Sequence, residues 1–262
     1  MSGSGEHLTG RSRPGVLPPK RTALLACDVF KEEVETLLPA DRRPAKIRFL
    51  EMGLHDCPDD LRRAIEREIA ALEEEEGVDT ILLLYALCGN GLVGVRARRR
   101  RLVLPRAHDC VGILLGGPER HREVLRDHPA TYFYSPGWIR GKRVPGPDRE
   151  AYLRAEYAER FGDDEEIIDE LVEADAEIFG HHDRAAYVDF TGNEEARRYC
   201  RDCALHLGWR FEELRADPGQ FLDLFAGDWD PARFLVVEPG EKIGLAGDER
   251  IVRAEKEENG SR

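Results

Sequence analysis

Short apolar runs alternate along this chain with stretches whose apolar residues recur every three or four positions, and this alternation constrains the fold more than any other feature. The strand-like runs are TALLAC (22–27), KIRFLE (46–51), TILLLY (80–85), RLVLPR (101–106) and ATYFYS (130–135), followed by AAYVDF (185–190), WRFEEL (209–214) and FLVVEP (234–239). Between the early runs, DVFKEEVETLL, CPDDLRRAIEREIAALEEEEG and GPERHREVLRDH carry the period of amphipathic helices. In the second of these, Pro58 or Asp59 opens the helix and Gly77 closes it. Strands alternating with helices predict an α/β fold, a mostly parallel, doubly wound sheet with helices on both faces, built as one domain or as two packed halves.

Residues 21–245 are read as the domain, with a first half at 21–145, a helical connection at 149–180 and a second half at 184–245. The acidic DDEEIIDELVEADAEIF within the connection reads as a solvated helix face. Residues 1–20, rich in Gly, Ser, Pro and Arg, are expected to form a disordered lead, and 246–262 a frayed tail.

Composition narrows the function classes. No stretch approaches the ~20 apolar residues of a membrane-spanning helix, and the N-terminus lacks a secretory apolar core, so a cytoplasmic protein without a membrane partner is expected. Six cysteines in 262 residues are too sparse for a disulfide scaffold, which leaves thiols, ligands or core residues. A formal net charge of −13 disfavours nucleic acid as a partner. The five arginines between Arg96 and Arg101 lack interleaved aromatics and are read as a solvated helix end. The sequence does not fix the number of subunits.

In a parallel sheet, ligands bind where loops leave the carboxyl ends of strands. Those ends here gather Cys27 and Asp28, then Glu51, His55 and Cys57, then Tyr85 and Cys88, then Arg106, His108, Asp109 and Cys110, then Tyr134 and Trp138. His108 and Cys110, two apart, share one side of an extended backbone. Thiolate and imidazole suit a borderline-soft ion such as zinc, with Cys88 as a third ligand and Cys27 as a fourth. If nearly all the ligands are cysteine, an iron–sulfur cluster is the alternative.

The turn CGNGLVG invites a second reading. Gly89, Asn90 and Gly91 permit positive φ, and a short helix after them presents amides to an anionic cofactor group, with Arg106 on the next strand end as its cationic partner. A metal-free nucleophile is also consistent, with Cys88 activated at that helix N-terminus and His108 as base. Cys200 and Cys203 form a Cys-x-x-Cys, but they fall with Ala196 and Leu207 on one apolar helix face and read as core.

Taken together, LLACDVFKEEVETL, EMGLHDCPDDL, LLYALCGNGLVGV, PRAHDCVGILLGGPERH, YFYSPGWI and AGDWDPARFLVVEPGEKI make the chain resemble, over about residues 22–243, the domain-of-unknown-function family numbered 1638. That resemblance implies occurrence in methanogens and other mostly anaerobic prokaryotes, often near corrinoid methyltransferase genes, and hence a link to corrinoid-dependent one-carbon or methylamine metabolism. It allows a third class of function, an accessory module that holds a corrinoid protein, a tetrapyrrole or a small molecule, with Tyr85, Tyr134 and Trp138 against a flat ligand.

Overall fold

The computed structural model describes residues 21–38, 43–162 and 164–256; the expected disordered lead at 1–20 lies outside them. All eight predicted strands form, within two residues at either end. The first five elements are β1 (Thr22–Cys27), α1 (Lys31–Leu37), β2 (Lys46–Leu50), α2 (Pro58–Glu73) and β3 (Thr80–Leu84). There follow β4 (Arg96–Ala97), β5 (Arg101–Pro105), α3 (Cys110–Leu114), α4 (Pro118–Asp127), β6 (Thr131–Tyr134), α5 (Pro136–Arg140), α6 (Arg149–Phe161) and α7 (Glu165–Phe179). The chain ends with β7 (Arg184–Asp189), α8 (Glu194–Leu207), β8 (Arg210–Arg215), α9 (Gly219–Ala226), β9 (Phe234–Val237), β10 (Glu241–Leu245) and β11 (Val252–Lys256).

The main sheet has the order β2-β1-β3-β5-β9, parallel except for β9. β1 and β3 are buried along their whole length, which is why their sequences run apolar without alternation. α2 opens on Pro58 and turns Leu61, Ile65, Ile69 and Leu72 onto this sheet. A second sheet, β6-β7-β8, is parallel throughout. Phe221 of α9 meets Phe30 and Phe190 edge-on at 5.3 Å each, so an aromatic chain links the two sheets. Cys200 and Cys203 are fully buried in the core beside the second sheet.

Four expectations are corrected. No helix follows Cys88: turns lead into β4, because Val95 and Ala97 are buried around an exposed Arg96 and this alternation overrides helical spacing. The arginines are therefore not a helix end; the Arg99 and Arg100 amides donate to the buried carboxylate of Glu73 at 2.8 and 3.2 Å, and Arg101 pairs with Glu238. The tail does not fray up to Lys256, since β11 pairs antiparallel with β10, which also borders β4; residues 257–262 lie outside the described ones. β9, expected in a second half, closes the first sheet against β5.

Candidate functional site

Strand order reverses direction between β1 and β3, and the crevice beyond the carboxyl ends of such a pair is where a doubly wound sheet binds ligands. Three cysteines meet there. Cys27 ends β1, Cys88 follows β3, and Cys110 opens α3 after β5. Backbone bonds hold the last two loops together: Leu87 donates to the Ala107 carbonyl at 2.9 Å and Cys88 to that of His108 at 3.1 Å.

Cys88 stands at φ 47°, followed by Gly89 at 61° and Asn90 at 74°. Three successive left-handed residues, two of them not glycine, store backbone strain of the order of 1–2 kcal/mol for each non-glycine. Gly91 must lack a side chain for another reason, because a Cβ there would strike Leu61.

Cys110 joins the other two thiols. The Cys110 thiol interacts by hydrogen bonding with both Cys27 and Cys88. Its donation to Cys27 lowers the Cys27 pKa against the opposing effect of burial, helped by the Val29 amide and the Arg140 guanidinium. Cys110 is pushed well up, first by its bond to Cys27, then by Cys88 and by burial. Tyr85 leans over this cluster. Its residue is 2% exposed and its hydroxyl has no hydrogen-bond partner among the described residues, and burial followed by the nearby Cys27 raises its pKa. An orphaned buried hydroxyl costs about 1–3 kcal/mol.

The roof comes from the second sheet. Ser135 accepts a bond from the Trp138 amide at 3.4 Å and starts α5. A Cβ on Gly137 would fall on the Val29 carbonyl, so only glycine lets α5 seat against the turn after Cys27. Arg140 then bonds the Asp28 carboxylate and carbonyl at 2.5 and 2.6 Å. Beneath Trp138 the pocket between the thiols, Tyr85, Glu51 and His55 encloses about 20 Å³, room for one water molecule or ion.

Other predicted residues fall elsewhere. His108 is exposed and its imidazole makes no hydrogen bond or ion pair among the described residues. Extended backbone does not continue past it, because Asp109 caps α3 by accepting from the Gly112 amide at 2.9 Å and turns Cys110 alone into the pocket. Gly89 and Asn90 are exposed, and neither they nor Gly91 lines the thiol pocket.

Arg106 is buried outside the thiol pocket, its Nε donating to the Pro231 and Phe234 carbonyls at 2.8 and 3.1 Å and its Nη1 to those of Arg250 and Val252. Tyr134 is buried and donates to the Pro145 carbonyl at 2.7 Å, which leaves it no face for a flat ligand. Cys57 caps α2 and its thiol bonds to Asp60, whereas His55 borders the pocket.

Sequence reasoning missed Met52 and Leu54, apolar residues of the loop after β2, and Arg140, which lies on α5 rather than at a strand end. The orphaned tyrosine and three thiols form a donor set that suits a soft or borderline ion. Among the described residues no group of three or more Cys, His, Asp or Glu side chains already stands at metal-holding spacing, so ligation requires the thiols to close in.

The family model described as "Protein of unknown function (DUF1638)" matches residues 49–225. No curated protein and no solved structure matches the chain. Among the described residues no helix is long and apolar enough to cross a membrane.

Proposed function

This chain belongs to the DUF1638 family of proteins of unknown function, and we propose that it binds a single soft or borderline metal ion, such as zinc, through Cys27, Cys88 and Cys110. The observation that carries this reading is the convergence of three thiols, joined through Cys110, on one small pocket beside the Tyr85 hydroxyl, which has no hydrogen-bond partner among the described residues. A volume of about 20 Å³ favours one ion over an iron–sulfur cluster or a tetrapyrrole. Bound there, zinc would act as a Lewis acid or hold a substrate thiol as thiolate.

The chain's own residues prepare the pocket. The Cys110 thiol and Arg140 favour the thiolate of Cys27, the form a metal requires. The strained turn fixes Cys88 opposite. Trp138 excludes bulk water from above, and Tyr85 offers a donor or acceptor to a bound molecule.

Metal analysis of protein purified without oxygen tests the reading. About one equivalent of metal is expected, lost in Cys27→Ser, Cys88→Ser and Cys110→Ser and retained in His108→Ala. Less than about a tenth of an equivalent, unchanged in the cysteine variants, removes it. Retention of a corrinoid protein on the immobilised chain under the same conditions tests the partner expected from the resemblance.

One observation favours thiol chemistry without a metal, namely the Cys110 thiol donating to Cys27. Cys27 rather than Cys88 would then be the nucleophile, because among the described residues no imidazole hydrogen-bonds to Cys88. Alkylation by iodoacetamide separates the two readings, since metal ligands are protected until a chelator is added.

A further inference from the structure

A wide cleft of about 680 Å³ opens beside the thiol pocket, and Glu51, Met52 and Leu54 form the wall common to both. That volume accommodates a small metabolite. Its charges are unbalanced: Asp28, Glu51, Asp56, Asp60 and Glu156 face it against only Arg140 and Arg143.

Both guanidiniums are already engaged. Arg140 lies 2.5 Å from Asp28 and 3.5 Å from Glu32, while Arg143 lies 2.6 Å from Asp56 and 3.6 Å from Glu156. Asp60 pairs with Arg63 one helical turn along α2. Glu51 alone among these carboxylates has no hydrogen bond or ion pair to a described residue. It stands just beyond β2, whose last residue, Leu50, is in register with Cys27.

An anion entering this cleft meets five carboxylates and two arginines that cannot turn to it without breaking their own pairs. A cation meets one carboxylate that is free. In the thiol pocket, which Glu51 also lines, the hydroxyl of Tyr85 has no hydrogen-bond partner among the described residues although its residue is only 2% exposed, a second mark of a polar ligand group beside that carboxylate.

We propose that the cleft binds a small organic cation, anchored through its ammonium group by Glu51 and directed with its other end toward the three thiols. The proposal names the substrate class of the thiol pocket and rests on that pocket being the working site.

Titration of the full-length protein with butylammonium and with butyrate, its charge-reversed counterpart, tests it by calorimetry. Saturable binding of butylammonium is expected, about fivefold weaker in Glu51→Gln, together with no binding of butyrate. Butyrate bound as tightly as butylammonium, butylammonium bound by neither protein, or equal affinity in wild type and variant would overturn it. An unchanged melting temperature of Glu51→Gln confirms that the loss is local. The metal content of the same samples keeps the two proposals apart: a metal-free protein that still binds butylammonium through Glu51 sinks the metal reading and leaves the cation cleft standing, and the reverse pattern does the opposite.

Discussion

Glu33 sits on α1, fully buried, and among the described residues neither carboxylate oxygen has a hydrogen-bond partner beyond its own backbone. Burial first, then the neighbouring Glu32 and Asp189, raise its pKa from an ordinary 4.5 to about 8. The folded protein therefore keeps this carboxyl protonated at neutral pH, while the unfolded chain releases the proton. Stability contributed by the protonated form is fully present below the unfolded value and is lost as pH rises through the folded one. At 1.36 kcal/mol per pH unit, the loss between pH 5 and pH 8 is about 3 kcal/mol.

Glu33→Gln keeps the shape and cannot ionise, so its unfolding free energy should lack this component. Urea denaturation of both proteins at pH 5, 6, 7 and 8 measures the difference. Near pH 5 the variant is expected to be equal to the wild type or up to ~2 kcal/mol weaker, because a buried amide also lacks partners. By pH 8 it should have gained about 3 kcal/mol relative to the wild type. Parallel stability curves across this window would refute the reasoning, since they would mean that Glu33 ionises alike in both states.

Two further outcomes follow from the pocket. Tyr85→Phe removes an orphaned hydroxyl, so the metal-free protein should unfold at equal or higher denaturant, by up to ~2 kcal/mol, whereas a bound ligand that uses the hydroxyl should be held less tightly; a clear loss of metal-free stability would show that the hydroxyl has a partner. Gly137→Ala drives a methyl into the Val29 carbonyl and should cost about 1–3 kcal/mol or more by denaturation, with loss of metal retention as the roof lifts; wild-type stability would mean that α5 is not held against that turn.

The main sheet was readable because β1, β3 and β5 are uninterrupted apolar runs bounded by turn residues, the signature of strands covered on both faces. The meeting of Cys27, Cys88 and Cys110 was readable for a related reason: the ends of parallel strands share an edge, so residues placed there converge whatever the helices between them do. His108 was misplaced because two-residue spacing was taken to imply extended backbone, although the aspartate at 109 already carried a helix-cap signal. Arg106 was misplaced because its carbonyl partners lie 125 to 146 residues away. Nothing local announces such partners. Glu33 was invisible in the same way, a charge on a helix that spacing alone would turn to solvent. β10 and β11 are short and mixed in polarity, and strands of that kind carry almost no periodic signal.

The placement of β9 governs how the protein can be divided. The chain leaves the main sheet after β5, builds all of β6-β7-β8, and only then returns to lay Phe234–Val237 along β5. A fragment stopped anywhere before that return keeps every cysteine of the pocket but leaves β5 as a bare, leucine-rich edge. Such edges recruit other chains. Expression of the first half alone would yield aggregate rather than a minimal binding domain, and during synthesis the same edge stays open until the ribosome has passed residue 237. The thiols belong to the beginning of the sequence, but the integrity of the sheet that presents them is decided near its end.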